Sequence, residues 1–213
     1  MKKSVDNSEK QEGEGVLIDL LKKLAAFVSL LLFSAFSWAM SFESDIEFSF
    51  DNERYWGRFR YDGDKVRMDV KDLHGNEETV IMREDTNICW FVNRNMTYSE
   101  VAMKFGIAAS TGIIGDHIDP GKVRRQLLGM EMLNGRAVNK YRVIIDSCGK
   151  PVEFIEGQCP GRPVPLRVAS PEGNSVIEYR NVLFRAQEYF RFQLPEGLKK
   201  VRFDMPGKKS GQA

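Results

Sequence analysis

Histidine is almost missing from this chain, with two in 213 residues, and cysteine is scarce at three. Neither charge dominates, since 31 lysines and arginines face 30 aspartates and glutamates. That balance excludes a broadly basic nucleic-acid surface and carries no signature of an acidic or basic partner. The shortage of histidine and cysteine leaves little material for nucleophilic or metal chemistry. No G-x-S-x-G, P-loop, H-E-x-x-H or dinucleotide fingerprint occurs. No second ligand stands at metal spacing around Cys89, Cys148 or Cys159. The expectation is therefore a protein that is not an enzyme, with no catalytic residue, metal or cofactor. His117 lies between Asp116 and Asp119, but a polar loop accounts for it, and an enzyme built on this group is the weakest reading. His74 reads as a turn residue.

Long apolar runs are lacking as well, with one exception. Lys22 and Lys23 precede an uncharged stretch, residues 24–42, that opens LAAFVSLLLFSAF and continues through Ser37-Trp38-Ala39. Basic residues, a short apolar segment and small residues three and one before a cut are what a signal peptidase requires, so cleavage is expected after Ala39. The alternative is an uncleaved inner-membrane anchor formed by residues 24–42, close to the roughly 20 residues that span a bilayer. Both readings place the body of the chain outside the inner membrane, in the periplasm. Residues 1–15 are long and acidic for the start of a signal peptide, and initiation at Val16 would leave a short one. No cysteine sits near the cut, which argues against a lipid-modified amino terminus. The expected plan is an extension and signal peptide over 1–39, one domain over 40–203 and a disordered tail over 204–213.

What is abundant is alternation. Fourteen phenylalanines, six tyrosines and three tryptophans supply volume for one core, and from Asp45 onward apolar residues recur with period two, the repeat of a strand with one buried face. Ile46, Phe48 and Phe50 form one such set; Tyr55, Gly57, Phe59 and Tyr61 form the next. Asp62-Gly63 is a hairpin signal, and Val66, Met68 and Val70 return between charged neighbours. Thr79–Arg83 and Asn87–Val92 read as further strands, with Ile88, Trp90 and Val92 on one face. Turn signals recur every 8 to 12 residues or so, as in a large antiparallel sheet.

The alternation fails between Val101 and Gly129, which reads as an inserted helical or loop segment. Asp119-Pro120 predicts a helix start, Val123, Leu127 and Leu128 its apolar stripe, and Gly129 its stop. Asn134-Gly135 then predicts a hairpin between Met130–Leu133 and Val138–Ile145. Val164, Leu166 and Val168 alternate among prolines, and Ser175–Leu183 forms another strand. Cys148 and Cys159 flank SCGKPVEFIEGQCP, and in an oxidising compartment they are disulfide candidates, the alternative being free thiols.

Four segments in order carry a resemblance: GRFRYDGDKVRMDV, VIMREDTNICWFVNRNMTYSEV, LLGMEMLNGRAVNKYRV and FQLPEGLKKV. Together they resemble the LolA-like, lipoprotein-carrier superfamily of bacterial envelope proteins, in an outer-membrane lipoprotein-sorting-like branch, over roughly Phe48 to Val201. The resemblance implies an α+β, mainly antiparallel fold: an open, unclosed β half-barrel with a short helical insertion over its concave face. It also implies a concave face able to hold a lipid, a lipoprotein acyl chain or another apolar ligand. The face carrying Phe59, Tyr61, Met68, Val70, Trp90 and Val92 is the candidate lining, an ordinary packed core being the alternative. A second functional expectation is an envelope sensor or assembly partner that docks another protein on its sheet surface, through Arg58, Arg60, Arg67 and Lys71. No nucleic-acid partner is expected.

Overall fold

The computed structural model describes residues 40–50, 53–115, 118–147 and 149–202. The expected signal peptide, the tail after Arg202, the Asp116-His117 pair and Cys148 lie outside the described residues.

Among the described residues twelve strands form one sheet in the order β12-β6-β5-β4-β3-β2-β1-β11-β10-β9-β8-β7. They are β1 (Ser41–Phe50), β2 (Glu53–Asp62), β3 (Lys65–Asp72), β4 (Glu77–Arg83), β5 (Ile88–Asn93) and β6 (Thr97–Ala102), then β7 (Val123–Leu133), β8 (Arg136–Ser147), β9 (Lys150–Gln158), β10 (Arg167–Ala169), β11 (Ser175–Phe184) and β12 (Lys199–Lys200). All neighbours are antiparallel except β12, which runs parallel to β6. The sheet does not close, and it curves around one short helix, α1 (Ile107–Thr111). This is the open α+β half-barrel that the motif resemblance implies, built on the antiparallel sheet that the alternation predicts.

Strands β2 and β3 come unusually close at Gly57. A Cβ there would lie 1.9 Å from the Asp69 carbonyl oxygen, so β2 and β3 approach where only a hydrogen fits. Phe42 and Phe59 stack at 5.7 Å, Phe42 and Tyr61 at 5.4 Å, and Tyr179 meets Phe59 edge-on at 5.2 Å. These fully buried rings, with Ile107, Ile113, Val143 and Phe154, are the core between the sheet and α1.

Helix α1 is too short to persist alone, and contacts at both ends hold it. The Gly106 amide donates to Ser147 Oγ at 2.8 Å, and the Ile107 amide to Glu84 Oε2 at 3.3 Å. At its far end Gly112 takes φ 72°, where a Cβ would meet Val168 at 2.5 Å.

The structure corrects the predicted helix after Asp119. The start signal is real but local: the Asp119 carboxylate accepts from the Gly121 amide at 2.9 Å, and the 3-10 turn ends at Lys122. Val123, Leu127 and Leu128 belong instead to β7, paired with β8 from Val123↔Ile145 to Leu133↔Arg136. Gly129 is not a helix stop but lies at a register shift between Leu127 and Gly129, with φ 146°. Long-range pairing overrides the local helical stripe here.

The cysteine expectation changes as well. The segment between the two cysteines is a strand, β9, closed on β8 at Ser147↔Lys150 and still paired at Asn139↔Gln158. Cys159 is a free thiol, within hydrogen-bond reach of the Ala137 carbonyl at 4.0 Å.

Candidate functional site

Residues paired across antiparallel strands share a face, so the ladders trace the concave surface. One row runs Phe59↔Met68, Met68↔Val80, Val80↔Phe91. The next runs Tyr61↔Val66, Val66↔Met82, Met82↔Cys89, Cys89↔Val101. Along β1 and its neighbours, Phe48 pairs with Tyr55 and Ile177, and the Phe48 and Tyr55 rings stack at 5.3 Å.

These rows floor a groove of about 590 Å³, within the range of small-molecule sites. Met68, Val70, Val80, Met82 and Phe91 form its base. Met103, Phe105 and Ser110 form one wall, where the chain leaves β6 and enters α1. Phe50 and Phe105 stand at the groove 49% and 41% exposed. Its charged lining residues are Glu78 and Lys104. Cys89 is buried in the base, and burial pushes its thiol up to about 11, so it is un-ionised at neutral pH.

Of the six lining residues expected from sequence, Met68 and Val70 line this groove. Phe59 and Tyr61 are on the concave side but fully buried in the ring stack with Phe42, so they are core rather than groove wall. Trp90 and Val92 are on the opposite face: Trp90 pairs with Ile81 and Glu100, and Val92 with Thr79 and Tyr98. The Trp90 indole donates to Glu100 at 3.0 Å on that side. Strand β5 reads ICWFVN, apolar on both faces, so its composition does not set its phase. The phase is set by the loop, since Arg83 pairs with Ile88. Arg83 faces outward to its ion pair with Asp85, so Ile88, Trp90 and Val92 face outward too. An outward assignment of Arg83 was the available signal for Cys89 and Phe91.

The convex face is polar and partly covered. Arg60 and Arg67 converge on Asp69, Arg58 reaches Glu43 at 3.1 Å and Asp45 at 3.3 Å, and Lys71 pairs with Glu77. Burial raises the Asp69 carboxyl, but hydrogen bonds from Arg67 and Thr79 and the nearby Arg60 outweigh it and hold it below the usual range. The segment after β11 crosses this face in a 3-10 turn, Tyr189–Phe192, that packs on β3 and β4. Arg83 Nη1 donates to the Phe192 carbonyl at 3.4 Å, and Phe192 is fully buried. The four basic residues expected to dock a protein thus each have an acidic partner within the fold, Arg60 and Arg67 sharing Asp69. Among the described residues no cluster of three or more histidine, cysteine or acidic side chains could hold a metal ion.

No protein-family model matches the sequence, and no curated protein matches it. Solved structures do. A conserved protein of Thermus thermophilus is 12% identical, covering 78% of this chain and 92% of its own, with a TM-score of 0.50. The MucA/MucB complex of Pseudomonas aeruginosa is 14% identical over 76% of this chain and 58% of the matched one, with a TM-score of 0.39. The LolA superfamily protein NE2245 of Nitrosomonas europaea is 11% identical over 73% and 90%, with a TM-score of 0.34. The Thermus likeness is one of fold.

Proposed function

We propose that the chain is an exported, non-enzymatic protein of the bacterial envelope that shelters a lipid, an acyl chain or a similar apolar ligand in the concave groove. The observation that carries this reading is the groove itself: about 590 Å³ bounded almost wholly by aliphatic, methionine and aromatic side chains. Such a surface gains about 0.8 kcal/mol for each ligand methylene removed from water, and its methionines adapt to a flexible chain. Glu78 and Lys104 place one charge of each sign at the lining, suited to holding a polar head while the chain lies inward. The docking alternative is weaker because Arg58, Arg60, Arg67 and Lys71 already have acidic partners. In this reading residues 1–39 direct export and are removed.

The test is native mass spectrometry of the protein secreted from a bacterial host, with solvent extraction of bound material. The expected result is a polypeptide starting at Met40 that carries a lipid adduct and takes up a fluorescent fatty acid once delipidated. A bare polypeptide that ignores the fatty acid would overturn the proposal.

A further inference from the structure

The sheet has two edges, and the chain treats them differently. At one, β12 pairs with Thr97 and Tyr98 and covers part of β6. At the other, β7 pairs with β8 alone among the described residues. That leaves one side of an eleven-residue strand with free backbone donors and acceptors, an arrangement that templates a further strand unless it is guarded. Its side chains are unusual for an edge: Leu127 is 58% exposed, Met130 72% and Met132 69%. Pairing with β8 puts all three on the concave side, along with Val123 and Arg125, whereas Arg124, Gln126, Gly129 and Glu131 face the other way.

We propose that β7 pairs antiparallel with β7 of a second copy of this chain, about a two-fold axis between Leu127 and Leu128, so that two half-barrels share one continuous sheet. The charge pattern selects this occupant and this register. Arg124 near the start of β7 has no ion pair among the described residues, and Glu131 near its end has only Lys140, at 3.5 Å. With the axis between the two leucines, Arg124 stands across from the partner's Glu131, and the two-fold repeats the pair. The same register sets Val123 across from the partner's Met132 and Arg125 across from the partner's Met130, on the concave side in both copies. The extra residue at the Leu127/Gly129 shift is what makes the facing agree; a strand without it would place Arg124 and Glu131 on opposite faces. Exposed methionine and leucine would then be covered, which is how an isologous interface uses one patch twice. The inference is independent of the groove and its ligand, since β7 contributes no groove residue.

The test is sedimentation equilibrium of the full exported protein over a concentration series, with far-UV circular dichroism to verify folding. The expected result is a dimer. Arg124→Glu and Glu131→Arg each weaken it at least tenfold, and the Arg124→Glu/Glu131→Arg double variant regains it because the ion pairs are exchanged rather than lost. A wild type that stays monomeric across the series overturns the proposal. So does a dimer indifferent to both single substitutions, or one that the exchange fails to restore in a folded variant.

Discussion

The Tyr179 hydroxyl donates a 2.7 Å hydrogen bond to the carbonyl of Thr111, so the last residue of α1 is held by a side chain rising from β11. Both groups are buried, and burial pushes the tyrosine's ionisation far up, which keeps the hydroxyl a donor at any accessible pH. Tyr179→Phe retains the ring packed edge-on against Phe59 and removes only this bond, leaving a buried carbonyl without it. The expected cost is about 1–2 kcal/mol, seen as a lower urea midpoint with an unchanged slope. An unshifted midpoint would mean that α1 does not depend on this hydrogen bond.

Substitutions on the two faces of β3 and β5 separate groove from scaffold. Met68→Glu places a carboxylate in the groove base and should reduce fatty-acid retention at least tenfold in a folded protein, because a charge in an apolar site must be desolvated. Trp90→Ala, on the opposite face, should leave retention unchanged while costing stability through lost packing and the Glu100 contact. Retention that tracks Trp90 rather than Met68 would place the ligand elsewhere.

The contrast between these residues also measures how far sequence reading reaches. Strands β1 to β3 announce themselves because one face is apolar and the other charged, so period and phase are both fixed, and Met68 and Val70 emerge directly. Strand β5 has apolar side chains on both faces, and period two without polarity contrast leaves its facing to a loop four residues long, so alternation alone puts Trp90 and Val92 on the wrong side. Strand β7 fails differently: Asp119-Pro120 does start a turn, but partner strand β8 decides the conformation of the residues beyond it. Strand β9 hides in a segment that two cysteines and neighbouring prolines make look like a loop. Phe59 and Tyr61 show a further limit, since alternation places them on the concave side but cannot say that they are buried in one core with Phe42 and the residues of α1.

Gly57 offers a test of the close approach of β2 and β3. Its backbone has no left-handed φ, so the reason for glycine is space alone: the first carbon of any side chain would overlap the Asp69 carbonyl at 1.9 Å. Backbone in a paired ladder cannot yield as a flexible side chain does, so Gly57→Ala must push β2 and β3 apart. A loss of about 3 kcal/mol or more is expected, at the upper end for overpacking. It should be read as a lower thermal midpoint together with weaker fatty-acid retention, because Met68 and Val70 lie on the displaced strand. A variant as stable as the wild type would show that the approach is not needed for the fold.

Glu156 makes a prediction whose sign depends on pH. It is fully buried on β9, paired in the ladder with Tyr141 and Val168. Arg125 Nη2 comes within 3.3 Å of Oε2, but among the described residues neither carboxylate oxygen accepts a well-aligned hydrogen bond. Burial raises its ionisation above the usual 4.5, and attraction to Arg125 opposes this without cancelling it. Between the unfolded value and the folded one, the folded state therefore keeps a proton that the unfolded chain has released. The stabilisation is complete below the unfolded value near 4.5 and is lost as pH rises through the folded one. Glu156→Gln keeps the shape and removes the titration. Wild type and variant should differ by a constant amount below about pH 4, and the variant should gain on the wild type as pH rises toward neutrality. Urea midpoints of the two proteins at several pH values read that difference directly. A difference that stays flat with pH, or that turns against the variant at neutral pH, would mean that Arg125 holds the carboxylate ionised in the folded state.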